Sequence, residues 1–191
     1  MDALQLFGLR YDAVHAGFVD DILDRLSDEQ ARAQPHGLNS VAWLLWHVAR
    51  VEDVAVNRFV ADRPQVLLTG GWNGRLGIDR ADVGAGMTSA EVDDLSRRID
   101  LTALRDYWAA VARATGEVAN GLGPADLDAV VDPAHIRRVV RDERVLVPAG
   151  GWVGDSWASS RSCGWFLLQT ALLHPYGHLF DGMTVRGLVT A

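Results

Sequence analysis

The sequence predicts an all-α fold, a bundle of four long helices. Four segments carry apolar residues three and four positions apart, the period of a helix with one buried face. No stretch between them shows the convincing two-residue alternation of a half-buried strand. At 191 residues and 49% hydrophobic, the chain is long enough to bury one sizeable core, and no repeat, low-complexity tract or composition shift marks a second domain. Residues 1–191 are therefore read as a single domain.

The first long helix is set by Leu4, Phe7, Tyr11, Val14, Phe18, Ile22 and Leu26, with Asp12, Asp20, Asp21, Asp24 and Arg25 largely on the other faces. Ser27 and Gln30 have the spacing of a capping box and predict one short turn before the break at Pro35, Gly37 and Asn39. The second helix starts near Asn39 or Ser40 and runs to about residue 60, stopping before Pro64, which disfavours helical geometry in the residue preceding it. Residues 64–86 are Gly-rich and read as a long irregular excursion of the length that serves as a functional lid. Thr88 and Glu91 repeat the capping-box pattern and open a short helix through Ile99. Asp100 caps the third long helix, with Leu104, Tyr107, Val111, Ala114, Val118 and Leu122 in register and Gly121, Gly123 and Pro124 ending it.

Residues 125–159 read as irregular: a short helix over ADLDAVV, an extended stretch at RVVRDERVLV and a turn-rich loop at PAGGWVGDSW. The fourth long helix spans about residues 160–187, with Trp165, Leu168, Leu172, Leu173, Leu179 and Val185 supplying its apolar surface.

Charge and composition exclude several functions. With 18 basic and 25 acidic residues the net charge is −7, which disfavours nucleic acid and anionic membranes as partners. All the basic residues are Arg, so Schiff-base chemistry, a P-loop lysine and a lysine general base are all excluded. Cys163 stands alone, so no intrachain disulfide can form and a reducing cytoplasm is the expected location. The opening MDALQLFGLRYD is unlike a signal peptide, and no apolar run approaches the ~18 residues of a membrane span.

Chemistry concentrates in the histidines. His36 and His135 lie beside prolines in predicted loops, and His15 sits one position past the first helix's apolar stripe and reads as helix surface. His47 instead falls on the buried stripe of the second helix among Leu44, Val48, Val51 and Val54, where an imidazole needs partners for its nitrogens. His174 and His178 are four apart and project from one face of the fourth helix. Together the three can present imidazole nitrogens to one metal in the bundle core, leaving a coordination position open. The alternative is that His174 caps a kink at Pro175, which removes a hydrogen bond to the Ala171 carbonyl, while His178 packs in the core.

SVAWLLWHVARVED at 40–53 and HPYGHLFDGMTVRGL at 174–188 resemble the DinB-like superfamily of up-down four-helix bundles. The resemblance is nearest the branch holding the metal-binding domain of mycothiol-dependent maleylpyruvate isomerase, and it covers nearly the whole chain. It implies a metal triad of His47, His174 and His178 binding zinc or nickel. It also implies activation of a small thiol, mycothiol or bacillithiol, in an S-transferase or isomerase acting on small electrophiles. Asp181 stands where family members commonly carry Gln.

Asp181, one turn after His178, is a candidate to hold that imidazole from behind or is simply solvent-exposed. Glu52 and Asp53 follow His47 but point away from it, and a surface ion pair with Arg50 or Arg58 is the competing reading. Trp72 and Trp152, each after a Gly-Gly pair, are candidates to wall a pocket mouth. Arg75, Arg80 and Arg161 are candidates to bind a carboxylated thiol or acid substrate, against ordinary solvated charge. Cys163 reads as a small core residue. Two functional classes follow: a metal-dependent, thiol-using enzyme, or a non-catalytic metal-binding or stress-response protein with a closed site. A homodimer through bundle helices is compatible with either.

Overall fold

A computed structural model describes residues 1–191. The architecture is all-α, and its only β-type pairing is an isolated bridge between Val130 and Ser162. Helix α1 (Ala3–Ala16) continues through a wide, five-residue-spaced turn over Gly17–Ile22, and α2 (Asp28–Arg32) follows. Helix α3 (Val41–Glu52) widens in the same way over Asp53–Val60. Two short helices, α4 (Val66–Thr69) and α5 (Trp72–Leu76), precede α6 (Ser89–Arg98) and the long α7 (Leu101–Gly121). Then come α8 (Pro133–Asp142), α9 (Gly151–Trp157), α10 (Cys163–Leu168) and, after a third wide turn at Gln169–Leu173, α11 (His174–Thr190). Helix α3 packs against α7 and α11, and α1 packs against the same two, which closes the four-helix bundle.

The caps explain where the helices start. Both predicted capping boxes form, at Ser27 with Gln30 and at Thr88 with Glu91. Ser40 accepts from the Trp43 amide and Asp100 from the Ala103 amide, so each satisfies a donor that the first turn leaves free. Helix α3 is central: all twelve of its residues are buried. Its polar members survive burial because each finds partners on other helices. Glu52 accepts from Thr115 of α7 at 2.7 Å, from His15 of α1 at 3.0 Å and from the Tyr11 hydroxyl. Arg50 donates to Asp53 at 3.1 Å, Tyr107 at 3.0 Å and Gln65 at 2.6 Å. Asp53 also receives the Val66 and Leu67 amides at 2.8 and 3.0 Å, anchoring the start of α4.

Several expectations are corrected. The segment at 64–86 is not irregular throughout, because α4 and α5 bury Leu67, Trp72 and Leu76 in the main core. The segment before the fourth long helix is helical too, and RVVRDERVLV begins within α8 rather than in an extended stretch. Asp132 caps α8, Pro133 fits its first turn, and Ile136 and Val139 turn inward three apart; this start signal outweighs the β-branched pair that suggested a strand. His135 accordingly lies on α8, half-buried beside the Arg58 carbonyl, rather than in an exposed loop. His15 is buried between Tyr11 and Trp108, with ring centroids 4.1 and 4.2 Å away, because the inward face of α1 is wider than the stripe alone indicates. Glu52 and Asp53 are fully buried and make no surface ion pair. Pro175 falls in the first turn of α11, directly after the wide turn, where the His174 amide already bonds five residues back to Gln169. No helix is long and apolar enough to cross a membrane.

Candidate metal centre

Three helical positions bring three imidazoles together. His47 sits in the middle of α3, and His174 and His178 lie one turn apart at the start of α11. One ring nitrogen of each lies within 4.8 Å of the other two. The Nε2 of His174 is 3.1 Å from that of His47 and 3.1 Å from that of His178. Tetrahedral ligation at ~2.0–2.1 Å would separate ligand nitrogens by about 3.3 Å, and the two 3.1 Å contacts lie close to that spacing.

The protonation pattern supports the same fit. The Nδ1–H of His47 donates to the Val83 carbonyl, which leaves its Nε2 lone pair free. His178 directs Nδ1 to the Asp181 carboxylate at 2.8 Å, which likewise leaves Nε2 free. The Nε2 of His174 can donate to only one of these neighbours. At least one of the two 3.1 Å contacts therefore lacks a directed hydrogen bond in any neutral arrangement, and a cation at the centre would engage all three nitrogens. The buried Nδ1 of His174 has no protein partner. Burial pushes the His47 imidazole down to about 4, and burial with the two neighbouring imidazoles holds His174 well below the usual histidine range. Both rings are neutral at pH 7, the form that ligates metal.

The loop that orients His47 is itself fixed. The Val83 amide donates to the Val145 carbonyl at 2.9 Å, and Arg50 donates to the Ala81 carbonyl at 2.6 Å. Gly84, at φ +84°, lies so close to Trp46 that an added Cβ would stand 2.6 Å from its ring. The Asp82 carboxylate accepts the Gly84 amide at 2.8 Å and closes the turn. Trp43, one turn before His47, stacks on it with centroids 4.6 Å apart and planes 12° apart.

A cavity of about 520 Å³ opens over the three histidines. Its walls are Trp43, Val51, Val83, Met87, Val92, Trp152, Trp157 and Trp165, with Asn39, Ser156 and Gln169 adding neutral polar groups. Of the predicted pocket tryptophans, Trp152 stands at this cavity and Trp72 does not; Trp72 is buried beside Tyr107. Only the end of the expected lid, from Val83 to Gly86, reaches the cavity. The three predicted arginines are turned elsewhere. Arg75 pairs with Asp106 and covers Trp72, Arg80 pairs with Asp82 and Glu91, and Arg161 stacks on the Trp165 ring without lining the cavity. Cys163 is buried in an apolar cluster shared with the wall residues Val51, Val83 and Trp157, where burial raises its thiol pKa, but it does not itself line the site. Sequence reasoning missed the Val83 carbonyl and the walls formed by Trp43, Trp157 and Trp165. Of these only Trp43, four residues before His47, carried a readable signal.

The family description of the DinB superfamily matches residues 18–153. The chain belongs to the DinB superfamily. The matched stretch contains His47, whereas His174 and His178 of this DinB-superfamily chain lie beyond it. A solved structure described as a conserved protein from Enterococcus faecalis superposes with a TM-score of 0.74 at 21% identity, over 100% of this chain and 98% of that one. At that identity the likeness speaks to the fold of this superfamily member alone. No curated protein matches the sequence.

Proposed function

We propose that this DinB-superfamily protein is a metal-dependent enzyme that uses a small thiol, of the mycothiol type, to transfer to or isomerise a small electrophile. The observation that carries the reading is the cavity of about 520 Å³ directly over the histidine cluster, since a purely structural metal site is closed whereas a catalytic one keeps an accessible position. His47, His174 and His178 would hold the ion, zinc or nickel. When bound, a divalent cation lowers the pKa of a thiol or water at its open position. The chain's own residues do the rest. Val83 and Asp181 fix the tautomers and aim of two ligands, and Trp43 keeps the His47 ring from turning. The surrounding indoles exclude bulk water from the reacting groups.

The test is to strip the protein with chelator, reload it with zinc or nickel, and assay a panel of low-molecular-weight thiols against model electrophiles. Metal-dependent conjugation or isomerisation is expected. Stoichiometrically loaded protein that turns over none of them supports the non-catalytic alternative instead.

A further inference from the structure

The cavity's lining has a property that the histidine cluster does not require: it contains no Arg, Asp or Glu at all. The ring nitrogens are the only titratable groups facing it. The cations nearest in sequence are committed elsewhere: Arg50 to Asp53, Tyr107, Gln65 and Ala81, Arg80 to Asp82 and Glu91, and Arg161 to the Trp165 ring, 4.6 Å from its centroid. In the metal-free cavity an anion would lose its water without gaining a guanidinium. The lining is instead aromatic. Trp157 is buried in the wall and Trp165 half-buried beside it, while Trp152 stands on the rim with 70% of its surface exposed. A tryptophan so exposed at the edge of an otherwise apolar cavity offers a flat face that nothing in the chain covers. Asn39, Ser156 and Gln169 supply uncharged hydrogen-bonding groups.

The segment carrying Trp152 is held close over the site. Gly150 approaches Ala85 so tightly that an added Cβ would lie 2.5 Å from the Ala85 carbonyl oxygen, so α9 and the Val83–Gly86 turn form one continuous roof. Trp152 therefore projects from a backbone already fixed relative to Val83 and, through it, to His47.

We propose that the cavity takes an uncharged, planar aromatic ligand, seated between Trp152 at the rim and the wall of Trp157, Trp165 and Met87, and that this protein wall, without the ion, disfavours the carboxylated counterpart of the same ring. This rests on the reading of the cavity as the substrate site, and it names the substrate class: aromatic electrophiles whose ring is held by an uncharged wall.

The test separates the two claims by measuring binding without turnover. Calorimetric titration of the metal-free and zinc-loaded protein with naphthalen-2-ylmethanol and with 2-naphthoate compares one ring system with and without charge. The alcohol should bind saturably to both forms, and to the metal-free protein the carboxylate should bind at least about tenfold more weakly. Trp152→Ala should weaken the alcohol about three- to tenfold and Trp152→Phe much less. Because Trp152 is mostly exposed, both variants should keep the wild-type thermal transition. Equal or tighter binding of 2-naphthoate to the metal-free protein, or indifference to Trp152→Ala, overturns the proposal. Absence of thiol turnover in the same preparation, with the binding preference intact, overturns the enzymatic reading and leaves the ligand class standing.

Discussion

The Arg50 guanidinium lies 2.6 Å from the Ala81 carbonyl oxygen, three residues along α3 from His47 and two residues before the Val83 carbonyl that His47 bonds. One fully buried arginine thus ties the helix that carries the first imidazole to the loop that aims it, while also neutralising Asp53.

Replacing Arg50 with Met should therefore destabilise the fold by about 3–5 kcal/mol, because Asp53 is left buried without its cation. Arg50→Lys keeps the charge but cannot reach Asp53, Tyr107, Gln65 and Ala81 together, and should fall between the two. Urea denaturation of the three proteins checks the order. A Met variant as stable as wild type would show that the buried pair contributes little.

Glu52 is the acceptor for Tyr11, His15 and Thr115, and burial beside this carboxylate raises the Tyr11 hydroxyl pKa well above its ordinary value. Glu52→Gln turns an amide donor toward groups that are themselves donors, and should cost about 2–3 kcal/mol. Zinc stoichiometry should be unchanged, since none of these side chains touches the histidine cluster. Denaturation and metal analysis on the same sample separate the structural role from a ligand role.

Asp181 holds His178 at 2.8 Å while its own side chain is 62% exposed. Asp181→Ala should leave the thermal transition nearly unmoved and weaken zinc affinity roughly 10–100-fold, the usual effect of removing the partner behind a ligating histidine. Competition with a chromophoric chelator measures the change. Asp181→Asn, which can still accept the Nδ1–H, should recover part of it.

Acid should destabilise the metal-free protein through His47. Its pKa falls from an ordinary 6.5 to about 4 on folding, so the unfolded chain binds the extra proton first as pH drops. The neutral ring's contribution to stability is fully present above about pH 6.5 and is lost as pH falls through about 4, amounting to a few kcal/mol. Denaturation midpoints for wild type and His47→Gln across this window should converge as the pH decreases. Parallel curves would show that His47 does not carry the dependence.

Much of this was legible from spacing. The His174–His178 pair, His47 on an apolar stripe and the Ser27, Thr88 and Asp100 caps all follow from periods of three and four, which a helix turns directly into shared faces. What could not be read depends on contacts between distant segments. The burial of His15 requires Glu52, thirty-seven residues away, and the choice of partners by Arg75, Arg80 and Arg161 is made only when the chain folds. Helix α9 carries two glycines and buries only Trp157, so it shows no period at all, yet it supplies the rim of the cavity.

The central claim is that His47, His174 and His178 bind one metal ion. Metal content by mass spectrometry, after chelator treatment, reconstitution with zinc and desalting, tests it most directly, with His47→Ala, His174→Ala, His178→Ala and His15→Ala alongside wild type. Wild type and His15→Ala should retain one zinc per chain and the other three should lose most of it. Equal zinc in His47→Ala and wild type, or none in wild type, would contradict the account.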